Sequence, residues 1–211
     1  MKKASTSGAD LAQHWDAAYQ SRGTTGVSWF QPETTMSIEL INHLGIPYDA
    51  AIIDVGGGAS LLVDLLIKQA FSDVSVLDVS KAALEATSER IGAGTTVTFL
   101  HENLMTWRPA RKFHLWHDRA VFHFLVDPSD RDVYLDLLRS ALHPNGALIM
   151  ATFSSDGPEY CSGLPVGRYS ADELISLLGD RFEIVEMRDQ QHTTPGGVIQ
   201  PFTWVSARVS V

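Results

Sequence analysis

Residues 51–60 read Ala-Ile-Ile-Asp-Val-Gly-Gly-Gly-Ala-Ser. An apolar run carries one acid, Asp54, and three consecutive glycines separate it from a helical pattern. Glycine takes positive φ without strain and lets a ligand lie where a Cβ would collide. The helix that follows starts with unpaired N–H groups. Together these features describe a buried strand that turns sharply into a helix beneath a nucleotide-like ligand, with Asp54 at the mouth of the turn.

Two ligand classes use such a turn. A dinucleotide needs Gly-x-Gly-x-x-Gly, the third glycine allowing close helix–strand packing. Counted from Gly56, that pattern gives Gly56, Gly58 and then Leu61, so the third glycine is missing. S-adenosylmethionine sites use acid-x-Gly-x-Gly-x-Gly, which aligns here as Asp54, Gly56, Gly58 and Ser60, with one small residue replacing the last glycine. A plain structural turn is the third reading. A second apolar run, Val74–Asp78, ends in an acid 20 residues after Gly58. A carboxylate there can accept both hydrogen bonds of a ribose diol, or simply close a turn. Ser80 is placed to cap the helix predicted over Lys81–Ile91. A third strand, Val97–His101, leads to Asn103, whose amide can meet the edge of an adenine ring.

The rest of the chain alternates strands and helices. Helices are predicted over Asp10–Tyr19, Ser37–Leu44, Ser60–Phe71, Asp130–Leu142 and Ala171–Leu178. In the fourth of these Val133, Leu137 and Leu138 are the expected core contacts, and Pro144 follows its end. Further strands are predicted over Ala51–Val55, Phe113–Asp118 and Ala147–Phe153. Phe182–Arg188 and Phe202–Val209 form a terminal antiparallel pair, joined by a long loop, Gln191–Pro201. Alternation of this kind implies an α/β fold with a mostly parallel sheet and helices on both faces. Ligands of such sheets sit beyond the carboxyl ends of the strands, and Asp54, Asp78, Asn103 and Asp118 all fall at that edge.

The chain therefore resembles the class I S-adenosylmethionine-dependent methyltransferases. Asp54–Ser60 resembles the family's first motif, which cradles the methionine part of the cofactor. Asp78 matches the acid on the ribose hydroxyls, followed by Val79. Asn103, followed by Leu104, stands where the family often has an Asp near the adenine amino group. Phe113–His123 looks like the fourth strand and the loop facing the transferred methyl, which brings in His117, Asp118 and Arg119. Pro144-Asn145-Gly146 resembles the turn into the fifth strand. The resemblance runs from about Leu11 to the C-terminus. It implies a Rossmann-like, seven-stranded sheet with an antiparallel last strand, S-adenosylmethionine as cofactor and S-adenosylhomocysteine as product. It does not identify the methyl acceptor. The expected layout is a flexible tail over 1–10 and one domain over 11–211, with lid helices in 11–45 and the core in 50–211.

Composition narrows the partners. A chain of 211 residues with 45% apolar and 19% charged residues suits one soluble domain with a substantial core. The net charge of −9, with scattered Lys and Arg, disfavours a phosphate backbone as partner. No run approaches the roughly 18–20 apolar residues that span a bilayer, so a membrane is not expected either. Cys161 is the single cysteine, which fits a cytoplasmic protein without an internal disulfide. A monomer or a homodimer is expected.

Methyl transfer asks for an acceptor held in line with the carbon–sulfur bond, and for water kept out. Aromatic faces attract a sulfonium. Trp15, Tyr19, Trp29 and Phe30 are placed over the cofactor or acceptor, because similar segments of the family fold over the site as a lid; core anchoring is the competing role. Glu159, Cys161 and Arg168 sit in the loop after the fifth strand, and Arg168 can hold an acceptor carboxylate. Phe30, Arg119, Glu159 and Arg168 are the candidate acceptor contacts. His123 and His192 are the candidate bases, being on loops expected to flank the methyl group. No metal is expected: His114 and His117 stand three apart on a strand and face opposite ways, and no Cys pair or His-x-x-x-His helix is present. The resulting reading is a methyltransferase acting on O, N or S of a small molecule. The alternatives are a protein lysine methyltransferase, which some members with a similar Trp-Asp N-terminus are, a non-catalytic S-adenosylmethionine-binding regulator, and a nicotinamide dehydrogenase, disfavoured by Leu61 and the antiparallel last strand.

Overall fold

The computed structural model describes residues 8–210. In chain order the helices are α1 (Gly8–Arg22), α2 (Thr35–His43), α3 (Leu62–Lys68), α4 (Lys81–Ile91), α5 (Pro128–Ala141) and α6 (Ala171–Leu178). The strands are β1 (Ile52–Val55), β2 (Val74–Asp78), β3 (Thr98–His101), β4 (Phe113–Arg119), β5 (Leu142–Phe153), β6 (Tyr160–Cys161), β7 (Leu164–Pro165), β8 (Phe182–Thr193) and β9 (Ile199–Val209). Seven strands form one sheet in the order β3-β2-β1-β4-β5-β9-β8, and β6 pairs with β7 in a separate hairpin. β1 to β5 are parallel, and β9 runs antiparallel to both β5 and β8. The order reverses between β1 and β4, which opens a crevice beyond their carboxyl ends.

Helices cover both faces. Alternate residues of a strand point to opposite sides. Ile52, Val76 and Leu115 pack with Leu40 and Ile41 of α2 and Leu62 and Leu66 of α3. Ile53, Val55, Leu77 and Trp116 pack on the other face with Tyr134 and Leu138 of α5 and Leu174 of α6. The caps behave as local chemistry dictates. Ser80 accepts from the Ala83 N–H at 3.2 Å, and Ser170 and Glu173 form a capping box at the start of α6.

Several boundaries differ from the sequence reading. α1 begins at Gly8, inside the stretch read as a tail, whose first seven residues lie outside the described part. α3 starts at Leu62 because the glycine turn extends to Ser60, whose N–H bonds the Gly57 carbonyl at 2.7 Å. It ends where Ala70 takes a φ of +68°. On α5, Tyr134, Leu137, Leu138 and Ala141 form the buried stripe, and Val133 is 40% exposed. That stripe is centred on the line through Tyr134 and Ala141, and Val133, one residue from Tyr134 and so about 100° round the helix, falls at its edge. Pro144-Asn145-Gly146 is not a turn ahead of β5 but an irregularity within it: Phe113 pairs with Leu142 and Leu115 next pairs with Ala147. The loop expected over Gln191–Pro201 is mostly ladder, since β8 and β9 pair out to Thr193 and Ile199. The polar run Asp189–Thr193 shows no apolar alternation; backbone pairing with β9, together with the Gln190 and His192 side-chain hydrogen bonds, keeps it in the sheet.

Candidate active site

The glycine turn is built for close approach. Gly56 has a φ of +65°, and a Cβ on it would lie 2.0 Å from Val121 Cγ2. A Cβ on Gly57 would meet Asp54 Oδ2 at 2.5 Å. At Gly58, with a φ of +43°, it would meet the Tyr19 hydroxyl at 2.8 Å and Asp78 Oδ2 at 2.9 Å. The turn is pinned by the Gly56 N–H, which donates to the Leu77 carbonyl at 2.7 Å. Any side chain here would displace the β4 loop, the N-terminal helix or Asp78.

Beyond this turn lies a cleft of about 980 Å³, a figure that includes space open to solvent. Gly56, Asp78, Val79, Asn103 and Leu104 line one side of it. Trp15, Tyr19 and Trp29 line another, joined by Phe124. These aromatic rings pack on one another as well as on the cleft. Trp15 meets Trp29 edge-on with centroids 5.3 Å apart, and Phe124 at 5.1 Å. The Trp29 indole donates to the Tyr19 hydroxyl at 3.1 Å. Lid and anchor are thus one cluster. A smaller adjoining cleft is lined by Phe30, Asp54, Gly57 and His117, and Arg119 lines both clefts.

Asp78 is 8% exposed, and burial pushes its carboxyl up to about 7, with Asp54 adding to the rise and the Ser80 N–H opposing it. Oδ1 accepts from that N–H at 2.7 Å. Ser80 also donates its hydroxyl to Asp16 of α1 at 2.6 Å, and Asp16 accepts from the Ala82 N–H at 3.2 Å. α1 is therefore held by the start of α4, beside the Asp78 loop. Asp16 escaped the sequence reading; its place between Trp15 and Tyr19 on a helix marked its neighbours but not its partner. Asn103 lines the cleft, with its side-chain oxygen already accepting from the Met105 N–H at 2.9 Å.

Strand phase separates the β4 residues. His117 and Arg119 share the face of Leu115, and Asp118 points the other way. Asp118 is fully buried, accepts from the Val121 N–H at 2.9 Å, the Phe122 N–H at 3.1 Å and the Tyr134 hydroxyl at 2.5 Å, and lines neither cleft. Burial raises its carboxyl to about 6, with the Tyr134 bond holding it down. It fixes the β4 loop from beneath, and the expectation of a cofactor contact is corrected. His117 uses both ring nitrogens within the protein, Nδ1 with Asp54 Oδ1 at 2.7 Å and Nε2 with Ser37 Oγ at 2.9 Å. It orients Asp54 and ties β1 to α2.

The expected bases are also relocated. His123 is fully buried, neither ring nitrogen has a hydrogen-bond partner among the described residues, and burial, reinforced by Arg119, pushes it down to about 3. His192 is on β8 rather than in a loop, with Nε2 bonded to the Ser28 carbonyl at 2.8 Å. Burial and Arg119 lower it. Neither lines a cleft. Glu159 and Arg168 pair with each other at 3.3 Å, away from both clefts. Cys161 does line the large cleft, as a thiol raised by burial to about 11. Among the described residues no three His, Cys, Asp or Glu side chains are placed to hold a metal ion.

Comparison with known proteins agrees with this geometry. Residues 52–146 match the family described as "Methyltransferase domain". The chain is 25% identical over 202 residues to EEF1A lysine methyltransferase 2 of Danio rerio, covering 88% of this chain and 81% of that one. It is also 25% identical over 189 residues to thiocyanate methyltransferase 1 of Arabidopsis thaliana, covering 86% and 78%. These likenesses support a class I S-adenosylmethionine-dependent methyltransferase. Among solved structures, Burkholderia thailandensis 1,6-didemethyltoxoflavin-N1-methyltransferase, with bound 1,6-didemethyltoxoflavin and S-adenosylhomocysteine, superposes with a TM-score of 0.69 at 19% identity, covering 100% of this chain and 94% of that one. The fold follows from that superposition. The cleft lined by Gly56 and the buried Asp78 fits such a cofactor, because it leaves space that no protein side chain fills.

Proposed function

We propose that this methyltransferase transfers its methyl group to an O, N or S atom of a small molecule. The observation that carries this is the lid. α1 and the segment holding Trp29 pack as one aromatic cluster over the cleft, and Asp16 locks that cluster to α4. The acceptor must then reach the methyl group inside a roofed, mostly apolar space. In this reading Asp78 accepts from the ribose diol, and the cleft wall at Asn103 and Leu104 receives the adenine. Gly56, Gly57 and Gly58, with Asp54 behind them, bed the methionine part. The cofactor brings an electrophilic methyl on a sulfonium. The protein holds it, sets the line of attack and keeps water away. Trp15, Tyr19 and Trp29 offer ring faces to the positive sulfur. Residues 11–30 act as the lid, and α2 packs with the core of 50–211. The net charge of −9 and the buried Cys161 support a cytoplasmic protein without a nucleic-acid partner.

Protein lysine methylation is the second reading, favoured by the likeness to EEF1A lysine methyltransferase 2. Incubation of the protein with lysate and tritiated S-adenosylmethionine, followed by a molecular-weight cutoff, separates the two. Label below the cutoff is expected. Label confined to protein would overturn the small-molecule reading.

A further inference from the structure

Among the described residues, Arg119 carries a charge with unmet hydrogen bonds. Nη1 donates to the Trp29 carbonyl at 3.0 Å, and the guanidinium lies over the Phe202 ring at 4.8 Å. Nε and Nη2 are shut from solvent with no hydrogen-bond partner among the described residues, and none of the ion pairs among those residues includes Arg119. Burial lowers the guanidinium only to about 10, so it stays charged near neutrality. The groups around it do not answer that charge. The Cys161 thiol is raised, and His123 and His192 are lowered by burial with Arg119 contributing. Asp54, the nearby acid, already bonds His117. A charge whose N–H groups are shut from solvent and left unpaired is unfavourable; such a charge is held for a ligand. Arg119 stands at the junction of the two clefts, next to the glycine turn and the aromatic lid.

We propose, building on the small-molecule reading, that the methyl acceptor enters as an anion held by the N–H groups of Arg119. An anionic nucleophile needs no base; no histidine lines the large cleft, and His117 of the adjoining cleft has both ring nitrogens engaged by Asp54 and Ser37. Its lone pair forms the new bond to the methyl carbon, the carbon–sulfur electrons return to sulfur, and no proton moves. A cation and an anion become two neutral products, a change that an apolar cleft favours. A lysine side chain, itself a cation, meets a like charge here.

The test uses protein saturated with S-adenosylhomocysteine and thiocyanate or hydrosulfide as probe, followed by tryptophan fluorescence. Saturable binding is expected. Arg119→Met weakens it at least tenfold and Arg119→Lys by less, because a bidentate charge-assisted pair is lost in both and the charge in only one. S-adenosylhomocysteine affinity stays within about twofold. Three results would overturn the proposal. One is no anion binding to the wild-type protein. Another is anion binding unchanged in Arg119→Met. The last is a loss of S-adenosylhomocysteine affinity while methylthioadenosine, which lacks the amino-acid part, binds as before; the guanidinium would then belong to the cofactor's carboxylate. Transfer to neutral amines or thiols without anion binding would sink this proposal and leave the small-molecule reading standing.

Discussion

The ribose assignment of Asp78 predicts a cofactor affinity that falls as pH drops through neutrality, a window in which an ordinary surface acid stays ionised and shows no such dependence. Its carboxyl sits at about 7 instead of the usual 3.8, because burial disfavours the charge and Asp54 and Asp16 add to it. Tyr19, which also faces it, is raised further by burial and stays neutral. Ribose hydroxyls donate to a carboxylate, so binding selects the ionised form. The apparent dissociation constant then scales as one plus the ratio of proton concentration to the acid constant. With a value of about 7, affinity at pH 6 is about tenfold weaker than at pH 8. Binding at pH 6 releases about 0.9 proton, and at pH 8 about 0.1. For the free protein the sign is reversed. A raised acid contributes stability that is full below 3.8 and is lost as pH rises through about 7. Calorimetry with S-adenosylhomocysteine at both pH values, in two buffers of different ionisation enthalpy, reads affinity and proton count together. Asp78→Asn should bind weakly and lose the pH dependence. Equal wild-type affinity at pH 6 and 8 with no proton release at pH 6 would refute the raised carboxyl, and unchanged affinity in Asp78→Asn would refute the ribose assignment.

Two further perturbations test the lid and the buried histidine. Asp16→Ala removes the bonds to the Ser80 hydroxyl and the Ala82 N–H; about 1–2 kcal/mol of helix docking should be lost, seen as a roughly tenfold fall in hydrogen-exchange protection across α1. Unchanged protection would mean that α1 is held by its aromatic contacts alone. His123 is neutral when folded down to about 3 but protonates near 6.5 when unfolded, so it withdraws stability as pH falls through 6.5. Between pH 7 and 5 that amounts to about 2 kcal/mol. His123→Leu should therefore lose less stability on acidification than the wild type in urea melts at the two pH values; parallel acid losses would show that the imidazole is already charged.

Local chemistry carried most of the fold. The strand–glycine–helix run at 51–60, the Ser80 and Ser170 caps and the apolar strands are short-range features, and the structure repeats them with shifts of a few residues. The glycine turn, Asp78 and Asn103 were legible for the same reason: strand ends in a parallel sheet converge on one edge whatever the rest does. The phase of β4 and the company of each side chain were not. Asp118 and Arg119 are adjacent in sequence, yet one is sealed under the sheet by Tyr134 and the other reaches the cleft. That choice follows from the pairing of β4 with β1 and β5. Likewise His192 left its expected loop because β8 found a longer ladder with β9. The sequence by itself determined a cofactor turn and a reaction type. Only the tertiary structure decided which charged side chains were neutralised by neighbours and which, Arg119 above all, were left with unmet hydrogen bonds, because pairing is a property of approach in space rather than of order along the chain.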